Sequence, residues 1–380
     1  MSKCTYISWE KYHESPEIQI HSQDIVIVKT GSTFGKVAQM GEIEHPITLN
    51  PQLAVFKEIK CDKRFLYYYL VSPYIQSIVQ LSNVGSTIPT MTQQAVLSFF
   101  LPLPPLPEQT AIAAFLDRET AKIDALVGEQ EKLIALLKEK RQAVISHAVT
   151  KGLDPNVKMK DSGVEWLGEV PEEWVISKSG HYVIILSGFA FPSIGFNDDV
   201  SCPKLLRGVN VGVGQLRWDD TVYWRRSIGD GLDNYEIDAG DIVLGMDRPI
   251  IGNGVRVAKV KPTDLPCLLL QRVALLKTGP GLNPDFLLSF LISNFFVSHF
   301  SPETTGVSVP HISPEQIKDF IISVPPLIEQ SAIVAFLDCE IAKIDILVVE
   351  AEKGIALLEE RRSALISAAV TGQIDVRKVI

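Results

Sequence analysis

Residues Pro104 to Asp154 recur at Pro325 to Asp375 with no insertion or deletion, a constant offset of 221. PPLPEQTAIAAFLDRETAKIDALVGEQEKLIALLKEKRQAVISHAVT returns as PPLIEQSAIVAFLDCEIAKIDILVVEAEKGIALLEERRSALISAAVT. A repeat at fixed spacing fixes architecture before any local propensity is read. Each copy opens with a proline stop and a Glu-Gln pair, then runs on without proline, which predicts a long helix. The first helix is expected to reach about Val149. From Ile112 it would span roughly 57 Å at about 1.5 Å per residue.

Within that helix Leu116, Ile123, Leu126, Leu133, Leu137 and Val144 fall at three- and four-residue steps, broken by Gln130 and Lys140. This is the seam spacing of paired helices. Leu337, Ile344, Leu347, Leu358 and Leu365 repeat it in the second copy. The opposing faces carry Glu with Lys or Arg, so neither helix can bury itself alone and the other copy is the economical partner. Gly354 replaces Leu133 in the second helix at about 1 kcal/mol of helix propensity. It marks either a close helix approach or a partner contact.

The duplication also reaches upstream at the same offset. Phe65–Ser72 matches Phe286–Ser293, and Gly85–Pro89 matches Gly306–Pro310. Further back, Asp24-Ile25-Val26 answers Asp241-Ile242-Val243 with a different offset, so a constant helical frame decays into variable domains. Within these domains Asp24–Lys29, Asp241–Leu244, Val255–Val260 and Leu268–Leu276 read as β-rich runs, while Phe65–Val79 and Phe286–His299 read as helices.

The two PPLxEQ-helix-AVT blocks, the connector Asp161–Gly168 with Val170-Pro171 and Trp174, and Leu206–Asn210 resemble the specificity (S) subunit of type I restriction-modification systems. Gly240–Val243 and Gln271–Ala274 resemble core strands of that family's target-recognition domains. The resemblance covers nearly the whole chain. It implies a mixed α/β (α+β) fold, with two target-recognition domains separated by two long conserved helices that form an antiparallel coiled coil. The expected division is 1–103 for target-recognition domain 1, 104–153 for spacer helix 1, 154–173 for the connector, 174–323 for target-recognition domain 2 and 324–380 for spacer helix 2. Such proteins usually carry a connector before each variable domain, whereas only one is found here, at 161–174. Domain 1 is therefore expected to be shortened at its amino end.

The resemblance further implies double-stranded DNA as ligand and a bipartite target with a fixed gap. Methyltransferase (M) subunits, two of them, would dock on the helices and methylate adenine with S-adenosylmethionine. Motor-nuclease (R) subunits would use ATP and Mg for cleavage. This chain would bind none of these cofactors and would be no enzyme. An alternative reading is a truncated or inactive specificity subunit that serves as a helical interaction scaffold.

Base reading needs donors and acceptors that reach a groove edge, with Arg to guanine and Asn or Gln to adenine as the efficient pairs. In the second domain the candidates are Arg207, Asn210, Arg225, Arg226, Arg248, Asn253 and Arg256, all in turn-rich segments. In the first, Lys29, Thr30, Ser32, Thr33 and Lys36 form a polar loop after a strand. Ser86 and Thr87, with Ser308 and His311, occupy corresponding loops of the two halves.

Sharper chemical readings fail. Gly31–Lys36 suggests a phosphate loop, but the glycine spacing is one short and Val37 replaces the required hydroxyl residue. Gly208–Gly212 with Gly214 lacks the strand-to-helix setting of a dinucleotide fingerprint. The seven histidines show no metal-ligand spacing. The methyltransferase Asn/Asp-Pro-Pro-aromatic motif does not occur, and Glu58-Ile59-Lys60 has no acidic partner that would make it a nuclease site.

A net charge of −9 on 380 residues argues superficially against nucleic acid, yet residues 154–173 alone hold six acidic and two basic side chains. Neither variable domain is basic overall, so phosphate neutralisation is expected to come mainly from a partner. No apolar run approaches the ~20 residues of a membrane span. Five scattered cysteines without a CxxC pair fit a reducing cytoplasm.

Overall fold

The computed structural model describes residues 5–84, 87–252, 254–304 and 310–378. The chain divides into two compact units, one formed by 1–134 with 349–380 and the other by 135–348. Both long helices pass from one unit into the other.

Unit 1 begins with α1 (Trp9–Glu14), whose N-cap Ser8 accepts from the Lys11 amide. Strands β1 (Gln19–Ile20), β2 (Ile25–Val28), β3 (Val37–Gln39), β4 (Ile47–Thr48) and β5 (Leu53–Phe56) follow. β2 is central, with antiparallel β3 and β5 on either side, and β1 pairs with β4. The apolar run beginning at Phe65 divides at Ser72-Pro73 into α2 (Lys63–Val71) and α3 (Pro73–Leu81). The split is local chemistry, since proline cannot continue a helix and Ser72 caps the next one. The short α4 (Gln93–Leu97) leads into α5 (Leu106–Lys151).

Unit 2 carries the end of α5 and a hairpin of β6 (Met159–Asp161) and β7 (Glu169–Pro171). The next strands are β8 (Val175–Lys178), β9 (Val183–Ser187), β10 (Lys204–Leu206) and β11 (Ile242–Gly245). A second hairpin, β12 (Ile250–Ile251) with β13 (Gly254–Val255), precedes β14 (Val257–Lys259), β15 (Cys267–Leu269) and β16 (Val273–Thr278). Helices α6 (Pro284–Leu291), α7 (Asn294–Thr304) and α8 (Pro314–Asp319) come before β17 (Ile321–Val324) and α9 (Leu327–Val370). The main sheet runs β14-β11-β16-β9, while β10 pairs with β15 and β8 with β17. The expected single run Leu268–Leu276 is two strands, because Arg272 takes φ +69 between β15 and β16.

The two central strands share one register. Ile25 faces Phe56 and Gln39, as Ile242 faces Leu276 and Lys259. Asp24 and Asp241 precede these strands in matching turns, accepting from the amides of His21 and Asp238. Helix α2 is tied to its sheet by Arg64 donating to Gln39, and α6 by Lys259 donating to Asp285. The position is the same and the polarity is inverted.

Each unit joins the first helix after its sheet, α2 or α6, to the helical frame through the glutamine of the repeated Glu-Gln pair. Gln109 accepts from the Asp62 amide at 2.8 Å and donates to the Pro104 carbonyl at 2.7 Å. Gln330 accepts from the Asn283 amide at 2.7 Å and donates to the carbonyls of Pro325 and Gly281 at 2.8 and 2.9 Å. Asp62 and Asn283 are the N-caps of α2 and α6. Both glutamines are buried, where polar groups need such partners. A second buried anchor in unit 2 is Trp174, whose indole donates to Glu329, the other member of the pair.

The helices pair antiparallel. In unit 1 the start of α5, at Ile112, Phe115 and Leu116, shares a core with Ile366, Ala369 and Val370 near the end of α9. In unit 2 the end of α5, at Ile145, Ala148 and Val149, shares a core with Ile333 and Leu337 near the start of α9. Of the expected seam, Leu116, Ile123, Leu137, Leu337 and Ile344 are buried, and Val144, Leu358 and Leu365 are partly buried. Leu126, Leu133 and Leu347 are not in it, being 52%, 42% and 52% exposed. Val127, Gln130, Ile134 and Arg141 are partly buried on the same helix, with Arg141 reaching Asp345 of α9, while buried Thr120 faces Tyr68 of α2 at 3.1 Å. The partly buried Val127 and Ile134 each stand one residue from the expected Leu126 and Leu133. Gly354 has open space around its Cβ position, so it marks no close helix approach.

Candidate nucleic-acid interface

In unit 2 the end of β11 is stitched to two neighbouring loops. The Met246 amide donates to the Arg272 carbonyl, the Arg248 amide to Pro310 and the Ile312 amide to Met246, at 3.0, 2.7 and 2.9 Å. Unit 1 has the same stitching after β2. The Lys29 amide donates to Gln52, the Gly31 amide to Pro89 and the Met91 amide to Lys29, at 2.7, 3.1 and 2.9 Å. A lone antiparallel bridge completes each set, Thr30 with Thr90 and Asp247 with His311. One backbone scaffold therefore presents Thr30, Gln52 and Thr90 in unit 1, and Asp247, Arg272 and His311 in unit 2.

The unit 2 surface is strongly cationic around a single carboxylate. Asp247 accepts from Arg272 Nη1 at 2.6 Å and contacts His311 Nδ1 at 2.7 Å. Burial opposes its ionisation, but hydrogen bonds from Arg272 and His311 outweigh burial and hold the carboxyl below the ordinary aspartate range. Arg207, Arg248, Arg256 and Arg272 line one concavity with Asp247 and Gln271. Arg248 is exposed, sits at φ +45, and makes no side-chain ion pair among the described residues. Left-handed backbone at a non-glycine residue costs energy and concentrates at functional surfaces. Of this group it is the arginine best placed to reach a ligand.

Other candidates have structural duties. Arg256 is buried, donating from Nε to the Val211 carbonyl at 2.9 Å and from Nη1 to the Asp247 carbonyl at 2.8 Å. Burial lowers its pKa, with Asp247 opposing and Arg248 adding to the effect. It supports the loop and adds field rather than reaching out. Asn210 is also buried, bonded to the Arg207 amide and the carbonyls of Arg217 and Asp220. Its expected base-reading role gives way to pinning a turn. Arg226 is clasped by Asp230, Asp233 and Glu236, and this pairing depresses Asp230 to about 2. It too is a strut. Arg207 pairs with Asp220 at 3.0 Å, and the largely exposed Arg225 with Asp199 at 2.9 Å.

In unit 1, Ser32, Thr33 and Lys36 are exposed, and Lys29 and Thr30 partly so. Gly35 takes φ +81 with Val79 Cγ1 2.7 Å from where a Cβ would stand, so this loop is a turn packed on α3. Thr87 is exposed. Ser86, Asn253 and Ser308 lie outside the described residues. Sequence reasoning missed Gln52, Thr90, Asp247 and Arg272. The pairing of Thr90 with His311 at the offset of 221 was the available signal.

Among the described residues no group of His, Cys, Asp and Glu could hold a metal ion. No described helix is long and apolar enough to cross a membrane.

The profile of the type I restriction modification DNA specificity domain matches residues 9–135 and again 217–352. The type I restriction enzyme MjaVIII specificity subunit of Methanocaldococcus jannaschii is 27% identical over 96% of this chain and 82% of its own. In fold, the chain is similar to one from a study of type I R-M complex assembly and conformational transition (TM-score 0.73, 17% identity, 93% of this chain and 82% of that one). It is also similar to the HsdS subunit of Thermoanaerobacter tengcongensis (TM-score 0.53, 18% identity, 93% and 82%). With the profile matching both halves and running into each of the repeated helices α5 and α9, the chain belongs to the type I restriction-modification DNA specificity family.

Proposed function

We propose that this chain supplies the address and partner subunits supply the chemistry. Each unit reads one half-site of double-stranded DNA, and the paired helices fix the unread gap. The observation that carries this reading is the shared backbone scaffold with divergent side chains. A shared frame holds the loops in place, while Thr30, Gln52 and Thr90 on one copy and Asp247, Arg248, Arg272 and His311 on the other offer different donors and acceptors. That is how one fold addresses two sequences.

Two methyltransferase subunits would bind the helical frame, because the exposed apolar residues recur in pairs. Leu106, Leu126 and Leu136 are exposed, and so are Leu327, Leu347 and Leu357 at the same offset. Repeated surfaces suit two copies of one partner. S-adenosylmethionine would act in those subunits, and ATP and Mg in motor-nuclease subunits, with this chain non-catalytic in a cytoplasmic assembly. Since net charge is −9, much of the phosphate neutralisation would come from those partners.

The test is co-expression with the neighbouring methyltransferase subunit in a host lacking adenine methylation, followed by genome-wide mapping of methyladenine. A two-part motif with a fixed gap is expected. Stable co-purification with no motif would overturn sequence addressing and leave a helical scaffold.

A further inference from the structure

Asp247 is held on three sides. Its main chain bridges that of His311, and its carbonyl accepts from the buried Arg256 Nη1 at 2.8 Å. Its carboxylate accepts from Arg272 Nη1 at 2.6 Å on Oδ2 and meets His311 Nδ1 at 2.7 Å on Oδ1. With both oxygens engaged, Asp247 serves better to aim a neighbour than to read a base itself.

The neighbour it aims is Arg272. This side chain is exposed and gives only Nη1 to the carboxylate, while Nε and Nη2 make no hydrogen bond among the described residues. A structural arginine of the same unit looks different, since Arg226 engages Nε, Nη1 and Nη2 together on Asp230, Glu236 and Asp233. The free edge of Arg272 offers two parallel N–H groups that can only donate. In the major groove guanine alone answers with two adjacent acceptors, N7 and O6. Adenine sets a donor beside its acceptor, cytosine presents a donor, and thymine has one acceptor and a methyl group. Holding the guanidinium by Nη1 before DNA arrives also lowers the cost of ordering it.

The same backbone place in unit 1 carries Gln52, whose carbonyl accepts from the Lys29 amide as that of Arg272 accepts from the Met246 amide. Gln52 is exposed, and its side chain makes no hydrogen bond among the described residues. One position of the shared scaffold carries the two side-chain types that distinguish guanine from adenine. Resting on the half-site role proposed for unit 2, we propose that Arg272 is its guanine-reading residue and that Asp247 is the positioning residue that aims it.

The test uses the full chain in complex with its methyltransferase subunit. Methyladenine mapping gives the motif of the unaltered complex, and methylation rates are then compared on duplexes in which each base pair of that motif is replaced in turn. Arg272→Ala and Arg272→Lys should both lower discrimination at one guanine, in one part of the motif, by about 5- to 150-fold. Other positions should stay unchanged. Lysine keeps the charge and loses the fork, so it separates base reading from phosphate attraction, and it carries the same comparison alone if the alanine variant fails to assemble. Asp247→Asn should relax the same guanine by a smaller factor and add nothing on the Arg272→Ala background, because it acts through that side chain. Full discrimination with Arg272→Lys, a loss spread over all positions, or relaxation at an A·T pair would each overturn the guanine assignment. Further relaxation by Asp247→Asn in the absence of Arg272 would overturn the positioning role. An unaltered complex that yields no two-part motif would instead remove the half-site role on which the assignment rests.

Discussion

Arg362 Nε lies 2.9 Å from Asp124 Oδ1 across the helix pair of unit 1, and its repeat mate Arg141 lies 3.5 Å from Asp345 across the pair of unit 2. Arg141 and Asp124 become Arg362 and Asp345 at the offset of 221, so one contact is written twice by the duplication. Both pairs are partly exposed, and each is worth about 0–1 kcal/mol. Their value is to direction and register, because any other alignment separates the partners. Arg362→Asp should destabilise by about 0.5–1 kcal/mol, with Asp124→Arg restoring most of the loss. A double-mutant cycle in denaturant checks this, and the coupling should fade in molar salt.

The buried glutamines give a larger effect. Gln330→Met removes three hydrogen bonds and leaves the Asn283 amide without its partner, at an expected cost of about 2–4 kcal/mol. Gln109→Met loses two bonds and should cost less. Chemical denaturation gives the ranking, and equal costs would mean that the Gly281 contact contributes nothing.

Seam and surface leucines should separate cleanly. Leu137→Asp places a charge in a buried seam without a counter-ion and should break helix pairing and partner assembly together. Leu126→Asp, on the outer face, should leave stability within about 0.5 kcal/mol. It should nevertheless weaken co-purification with the methyltransferase subunit. A Leu126→Asp chain as unstable as Leu137→Asp would return Leu126 to the seam.

The helical frame was legible because duplication repeats a pattern that a single amphipathic helix leaves ambiguous. What misled was the choice between adjacent apolar residues. Partly buried Val127 and Ile134 each follow directly on an exposed leucine, Leu126 and Leu133, and spacing alone does not separate such neighbours. The interface was half legible. Arg248 and His311 stood out as loop residues of suitable chemistry, but Arg226 looked equally suitable until its three carboxylates came together from positions 230, 233 and 236. Gln52 and Arg272 were invisible, since their relevance lies in carbonyls that hold β2 and β11.

Arg248→Ala should weaken or relax recognition at one half-site by about 1–3 kcal/mol if its guanidinium makes a bidentate base contact. Methylation mapping with the variant should show degeneracy in one part of the motif and none in the other. Uniform loss on every DNA sequence would assign Arg248 to phosphate. Arg226→Ala should behave differently, lowering stability while leaving the motif unchanged.

Asp24 gives the pH dependence. Burial opposes its charge, but the Lys57 ammonium and the His21 amide outweigh burial and lower its pKa below the ordinary aspartate value. A carboxyl depressed in the fold contributes stability that is present above its unfolded pKa, about 3.9, and lost as pH falls through the lower folded value. Unit 1 should therefore be insensitive to pH near neutrality and weaken below about pH 4. Asp24→Asn should destabilise unit 1 at pH 7 by about 1.5–3 kcal/mol, the range for a hydrogen bond to a charged group. It should also flatten the acid limb. Denaturant titrations of both proteins between pH 7 and pH 2.5 decide the matter, since parallel acid limbs would place the proton uptake at some other carboxylate.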